Sequence, residues 1–398
     1  MLSDDSIVFT MSTRTTRTTS HYFDHAATTP IRQSAVDAWV ENSDVLNPGG
    51  SYASGRRAQA VLAEAREIIA DALSCEPIEV IFTGSGTEAD NLAVRGLLQN
   101  AVDREETLRI VTTPIEHPAV KETVSSLATR MPHVQVDYLP VTSSGHIEDL
   151  ELLDLPATVA AVMWANNETG AIQPITKVAE KCQETETPLH VDAVQVVGHL
   201  PVDFSALGAT TMAASAHKFG GPRGVGILLA KRSPVPSPVL TGGGQQRGIR
   251  PGTPDAAGAM ATAVALREAV TEMDGERARL ESLTARLRDG LKESVDKLVV
   301  HTSEPNLPGH LFVSFPGAEA DSLIMLFDSL GIEVAAGSAC SSGVNRASHV
   351  LLAMGVEEKV ARGAIRFTLG RTTSQEDVDF LLAHAADVVE RARLAGMA

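Results

Sequence analysis

The stretch Leu189-His190-Val191-Asp192-Ala193-Val194-Gln195 is followed a short way on by Thr210-Thr211-Met212-Ala213-Ala214-Ser215-Ala216-His217-Lys218. Each opens as a short apolar run and closes on polar side chains, which reads as a buried strand presenting functional groups at its C-terminal end. Outward from this pair the same rhythm holds. Strands are expected at Glu79–Thr83, Arg109–Thr113, Val134–Leu139, Thr158–Trp164 and Val225–Ala230. Helix-period segments at Ala53–Leu73, Thr87–Gln99, Ala119–Thr129 and Ile175–Glu184 lie between them. This alternation predicts an α/β fold, a large sheet with helices on both faces.

The character changes after Gly242-Gly243-Gly244. A long amphipathic pattern runs from about Asp255 to Val295, strands follow near Leu311–Phe315, Ile332–Ala335 and Ala364–Thr368, and a last helix covers about Ser374 to Arg393. Three parts are therefore expected: a disordered tail over 1–20, rich in Thr, Ser and Arg; a large α/β domain over 21–258; and a smaller C-terminal α+β domain over 259–398.

The 398 residues are 43% apolar and 21% charged, an ordinary globular balance that excludes disorder for the bulk of the chain. With 33 basic and 50 acidic side chains the formal net charge is -17. Such a surface repels phosphate backbones and anionic lipid, so neither direct nucleic-acid binding nor a membrane role is expected. Asp4 and Asp5 stand where a signal peptide carries positive charge, so none is expected, and Met11 is a candidate start. Three cysteines, Cys75, Cys182 and Cys340, make no disulfide framework and suit a reducing cytoplasm.

The chemistry-bearing residues sit at the expected strand ends. A lysine before Phe219-Gly220-Gly221 is ordinarily an exposed loop residue, and an Asp at a strand end is ordinarily a helix cap. Together, Asp192 and Lys218 on successive strand ends supply what pyridoxal 5'-phosphate (PLP) requires: an acid for the pyridinium nitrogen and an amine for a Schiff base. Phe82-Thr83-Gly84-Ser85-Gly86-Thr87-Glu88 runs from strand to helix through small residues and suits a phosphate, although it is neither a Walker A loop nor a dinucleotide fingerprint. Glu116-His117-Pro118 and Asn166-Asn167-Glu168-Thr169-Gly170 follow two further strands. Cys340 lies in the small, polar run Gly337–Gly343, while Cys75 and Cys182 fall in or beside helical patterns and read as packing residues. No metal site is assigned.

In this order, from Phe23-Asp24-His25-Ala26-Ala27-Thr28-Thr29-Pro30 to Ile365-Arg366-Phe367-Thr368-Leu369-Gly370-Arg371, the chain resembles the NifS/IscS-type cysteine desulfurases of the class V aminotransferase group, fold-type I PLP-dependent enzymes. The resemblance implies a large mixed-sheet α/β domain and a small α+β domain. It implies Lys218 as the PLP lysine, Asp192 at the pyridine nitrogen, Gln195 and Asn167 near the ring hydroxyl, and His117 stacked on the ring. Gly86, Thr87, Ser215 and His217 would hold the phosphate, joined by Thr253 of a second subunit, so that a homodimer is implied. Arg366 with Asn167 would bind the substrate carboxylate. Cys340 would take the sulfur of L-cysteine as a persulfide, with His117 accepting a thiol proton, and pass it to an acceptor protein for iron–sulfur assembly or thiolation. Rival readings are a class V aminotransferase or selenocysteine lyase without persulfide delivery, and an assembly scaffold. The chain departs from the pattern at Gly49-Gly50-Ser51-Tyr52, at Gly84-Ser85-Gly86 and at Gln245-Gln246.

Overall fold

The computed structural model describes residues 20–102, 108–337 and 347–395. The first described elements are a short strand β1 (His21–Tyr22) and helices α1 (Gln33–Glu41) and α2 (Ala53–Leu73). There follow β2 (Val80–Thr83), α3 (Gly86–Val102), β3 (Arg109–Thr112), α4 (Pro118–Arg130), β4 (Gln135–Tyr138), β5 (Val159–Met163), α5 (Ile175–Glu184), β6 (Leu189–Asp192), α6 (Phe204–Leu207), β7 (Thr211–Ser215) and β8 (Gly226–Ala230).

Among the described residues these strands form a seven-stranded sheet in the order β2-β8-β7-β6-β5-β3-β4. The pairs from β4 to β7 are parallel, and β8 runs antiparallel to both β7 and β2. The sheet is therefore mixed, with helices on both faces. Its central strands read as continuous apolar runs because both of their faces are covered: every residue of β5, β7 and β8 is buried. Edge strand β4, sequence QVDY, has polar residues and is only partly covered. The strands expected from sequence form here with their ends moved by about one residue.

The rest of the chain holds α7 (Ala256–Ser294), β9 (Val299–Val300), β10 (His310–Ser314), α8 (Ala320–Asp328), β11 (Ile332–Glu333), α9 (His349–Ala353), α10 (Glu358–Ala361), β12 (Ala364–Thr368) and α11 (Gln375–Ala395). Strands β12, β10 and β9 form a small antiparallel sheet. Helix α7 has 39 residues, roughly 58 Å at 1.5 Å per residue, long enough to serve two cores. Its first half, through Ala269, packs under the large sheet, and Leu280, Leu283, Leu287 and Leu291 pack against Val313, Phe367 and α11.

Two ties position the site. The segment around β1 crosses over: β1 pairs in parallel with β11, and Phe23 meets Phe367 edge-on at 6.4 Å. Arg32, at the start of α1, donates to Glu268 and Glu272 of α7, each at 2.8 Å, and its Nε donates to the carbonyl of Phe219 at 3.1 Å. The turn after Lys218 is thus fastened to the long helix. Among the described residues no helix is long and apolar enough to cross a membrane.

Candidate active site

Lys218 is delivered by the end of β7 and a single 3-10 turn, Ala216–Lys218. Gly220 (φ +88°) takes the left-handed backbone that turns the chain, and a Cβ there would meet Arg32 at 2.8 Å. The ammonium donates to the carbonyls of Ala26 and Ala27, the latter at 2.9 Å, and the Lys218 carbonyl bonds His199 Nε2 at 3.0 Å. Burial, then the nearby Arg366 charge, brings the lysine down to about 8. A lysine so placed is a usable nucleophile and proton carrier near neutral pH.

Asp192 ends β6, next to β7, and is buried. One oxygen accepts the Val194 N–H at 3.0 Å. Burial raises its pKa while His117 and Lys218 pull it back, so a cation set against it would restore the carboxylate. Behind it lies Asp90, buried, with His190 Nε2 at 3.1 Å.

The turn into α3 is shaped for an anion. The N–H groups of Gly86 and Thr87 find no acceptor among the described residues. A Cβ on Gly86 would stand 2.7 Å from Val194 Cγ2 and 3.3 Å from Ser215 Cβ, so only glycine leaves this cradle open. Ser215 faces it from β7, and His217, lowered to about 4 by burial and the Lys218 charge, is held to Thr28 at 3.2 Å.

His117 is the N-cap of α4, and its Nδ1 accepts the Ala119 N–H at 3.1 Å. The neutral ring, kept neutral mainly by burial, therefore carries its proton on Nε2. That departs from the sequence reading, in which His117 accepts a thiol proton: with Nδ1 engaged, the ring offers a donor. Asn166 builds the neighbouring turn by accepting the N–H groups of Glu168 and Thr169, both at 2.9 Å, which leaves Asn167 facing the cavity.

A cavity of about 230 Å³ collects Gly86, Thr87, His117, Asn167 and Asp192. Gln195, Ser215, His217 and Lys218 complete the set named from sequence that lines it. Arg366 does not line it: it lies on β12, buried, with NH1 donating to the Asn167 carbonyl at 2.9 Å and NH2 to Asp24 at 2.6 Å. Thr253 is exposed and away from this cavity, and Cys340 lies outside the described residues. Burial pushes the thiols of Cys75 and Cys182 up to about 12, in keeping with packing roles.

The sequence reading left Asp24, the carbonyls of Ala26 and Ala27, and Asp90 without roles. Only Asp90 had a local signal, one helical turn after Gly86 on α3. The donor set fits PLP: an open phosphate cradle with N–H groups that find no acceptor among the described residues, a buried acid, and a lysine of lowered pKa on adjacent strand ends.

Residues 21–381 match the class V aminotransferase family. The chain is 42% identical over 386 residues to an IscS-like cysteine desulfurase of Mycobacterium tuberculosis, covering 95% of this chain and 98% of the relative. The chain belongs to the class V aminotransferases, among the cysteine desulfurases. It is also 37% identical to cysteine desulfurase IscS of Dictyoglomus turgidum over 93% of each chain. A solved NifS-like protein superposes with a TM-score of 0.86 at 34% identity, covering 94% of this chain and 100% of the other. The mixed sheet is thus that of the fold-type I PLP-dependent enzymes to which this family belongs.

Proposed function

We propose that this protein converts L-cysteine to L-alanine with PLP as its cofactor and moves the sulfur to Cys340 as a persulfide. The observation that carries this reading is the pairing of Lys218 and Asp192 on adjacent strand ends, over a cradle whose Gly86 and Thr87 N–H groups find no acceptor among the described residues. Lys218 would hold the cofactor and Asp192 its ring nitrogen, with Gly86, Thr87, Ser215 and His217 at the phosphate and Gln195 and Asn167 at the ring. Bound there, PLP supplies an electron sink for carbanion chemistry.

The chain's own groups do the rest. Arg366, with Asn167, binds the substrate carboxylate; its Nε is buried and has no partner among the described residues, so a donor is available. Lys218, near 8, exchanges the α-proton. His117 lines the cavity, would lie against the cofactor ring, and would offer its Nε2 proton there. The thiolate of Cys340 attacks the substrate sulfur: the C–S bond breaks, an S–S bond forms, and the carbon takes the electron pair and a proton to give alanine. The sum is cysteine plus enzyme thiol giving alanine plus enzyme persulfide, which balances.

The same reading makes the protein a cytoplasmic homodimer in which Thr253 completes the phosphate site of the facing subunit. The persulfide then serves an acceptor protein, such as an iron–sulfur scaffold or a thiolation enzyme. It also divides the chain into a large domain (21–258) and a small one (259–398), supported by the two cores that share α7. The test is incubation with L-cysteine and a reductant, assaying sulfide and alanine. Wild type yields both in equal amounts, Lys218→Ala neither, and Cys340→Ser no sulfide. Sulfide from Cys340→Ser at the wild-type rate rejects the persulfide step.

A further inference from the structure

Glu88 is an awkward residue for the site it borders. It follows Thr87 in the first turn of α3, where an acidic side chain satisfies the helix dipole that a phosphate would otherwise use. Its carboxylate is folded back on the turn: Oε2 accepts the Gly84 N–H at 2.7 Å, and a Cβ on Gly84 would meet that oxygen at 2.8 Å. This closes the turn and leaves the Gly86 and Thr87 N–H groups facing the cavity. It also sets a negative charge beside the place a phosphate would occupy.

Arg250 answers it. Arg250 donates from Nε to Glu88 Oε1 at 2.7 Å and from NH2 to Oε2 at 3.4 Å, both side chains being largely covered. The stretch carrying Arg250 is itself firmly seated. Gln246 brackets the backbone of Phe82, accepting its N–H and donating to its carbonyl, both at 2.7 Å. Arg247 donates to the carbonyls of Ala230 and Lys231 at 2.7 and 2.9 Å. Gln246 and Arg247 take left-handed backbone (φ 48° and 62°), unusual for residues with side chains and sustained here by these bonds. The departure Gln245-Gln246 noted in the sequence thus has a structural task at the edge of the phosphate turn.

We propose that Arg250 is a positioning residue for cofactor phosphate: it neutralises Glu88 while holding that carboxylate against Gly84, so the turn keeps its shape without repelling the dianion. The inference rests on the PLP reading of this cavity. It acts through charge, so its effect is confined to ligands carrying phosphate.

The experiment is equilibrium binding to cofactor-free protein, followed by absorbance, with PLP and with pyridoxal, which lacks the phosphate. Arg250→Ala should weaken PLP about tenfold, the scale of one half-screened charge, and leave pyridoxal unchanged. Arg250→Lys should fall between. Adding Glu88→Gln, whose amide oxygen still accepts from Gly84, should restore PLP binding to Arg250→Ala. Should Arg250→Ala not fold, Glu88→Gln alone serves: it should bind PLP at least as tightly as wild type. Wild-type affinity in Arg250→Ala, equal weakening of PLP and pyridoxal, no rescue in the double variant, or weaker PLP binding in Glu88→Gln each overturns the proposal. A wild-type chain that binds neither compound instead rejects the PLP reading itself.

Discussion

Arg366 NH2 donates to Asp24 at 2.6 Å, joining a residue near the start of the chain to one on β12. The pair is largely buried, with side-chain exposures of 7% and 22%. Asp24 also bridges to Thr368 along the backbone. The guanidinium is therefore fixed from one side by Asp24 and the Asn167 carbonyl, with no partner for Nε among the described residues. Arg366→Ala should raise the KM for L-cysteine at least about tenfold, because a charge-assisted carboxylate contact is lost. Bound PLP should be unchanged, since Arg366 does not line the cofactor cavity. An unchanged KM would place the carboxylate site elsewhere.

Asp24 also acts at a distance on Lys218. Asp24 and Asp192 raise the lysine, while burial and Arg366 lower it to about 8. Asp24→Asn removes one raising charge, so Lys218 should deprotonate at lower pH still. In cofactor-free protein, the rate of PLP capture should then reach half its plateau below the wild-type pH. A midpoint that stays or moves upward would show that Asp24 does not set the lysine.

Gly86→Ala tests the cradle by filling it. The new methyl would sit 2.7 Å from Val194 Cγ2 and must displace it or tilt the helix start. Overpacking of this kind costs about 1–3 kcal/mol, so PLP affinity should drop by roughly tenfold or more while the fold is retained. Titration by absorbance and a far-ultraviolet spectrum separate the two. Undiminished PLP affinity would put the phosphate elsewhere.

Glu116 gives the cofactor-free protein a distinctive pH dependence. It is fully buried; Oε1 accepts from Thr113 and from the Met163 N–H, and Oε2 has no partner among the described residues. Burial raises it to about 8. With its folded pKa above the unfolded value, it binds a proton more tightly when folded. Its stabilising contribution is full below the usual carboxyl range and is lost as pH rises through about 8. Glu116→Gln imitates the protonated form and removes that slope. The urea midpoint of wild type relative to Glu116→Gln should fall as pH increases from about 5 to 9. A difference that is flat or rises with pH would mean that Glu116 is ionised in the folded protein.

How much of this was legible in the sequence follows from how local each feature is. Lys218, Asp192 and the Gly86 turn could be read because a strand end and its following turn carry their signal in consecutive residues. The large sheet could be read because buried strands are continuous apolar runs. Asp24 could not be given its role, since its partner Arg366 arrives only where Asp24 bridges Thr368 of β12, a pairing between distant parts of the chain. The Arg250–Glu88 pair is hidden for the same reason, and the turn at Gln246 runs against ordinary backbone preference. The tautomer of His117 depends on one backbone N–H of the helix it caps, which no residue pattern specifies.

The dimer reading yields a test that depends on subunit geometry alone. Thr253 is exposed and does not line the cavity of its own chain. The glycine-rich stretch before it, Gly242 to Gly252, would allow close approach of backbones across the proposed interface. In a two-fold dimer each site then takes Lys218 from one subunit and Thr253 from the other. When Lys218→Ala and Thr253→Ala subunits are mixed, the hybrid dimer has one site with both lesions and one with neither. Desulfurase activity should therefore rise above that of either parent as subunits exchange, toward half of wild type per hybrid dimer. If Thr253 served its own chain's site, both sites of the hybrid would be damaged and mixing would yield no more than the average of the parents.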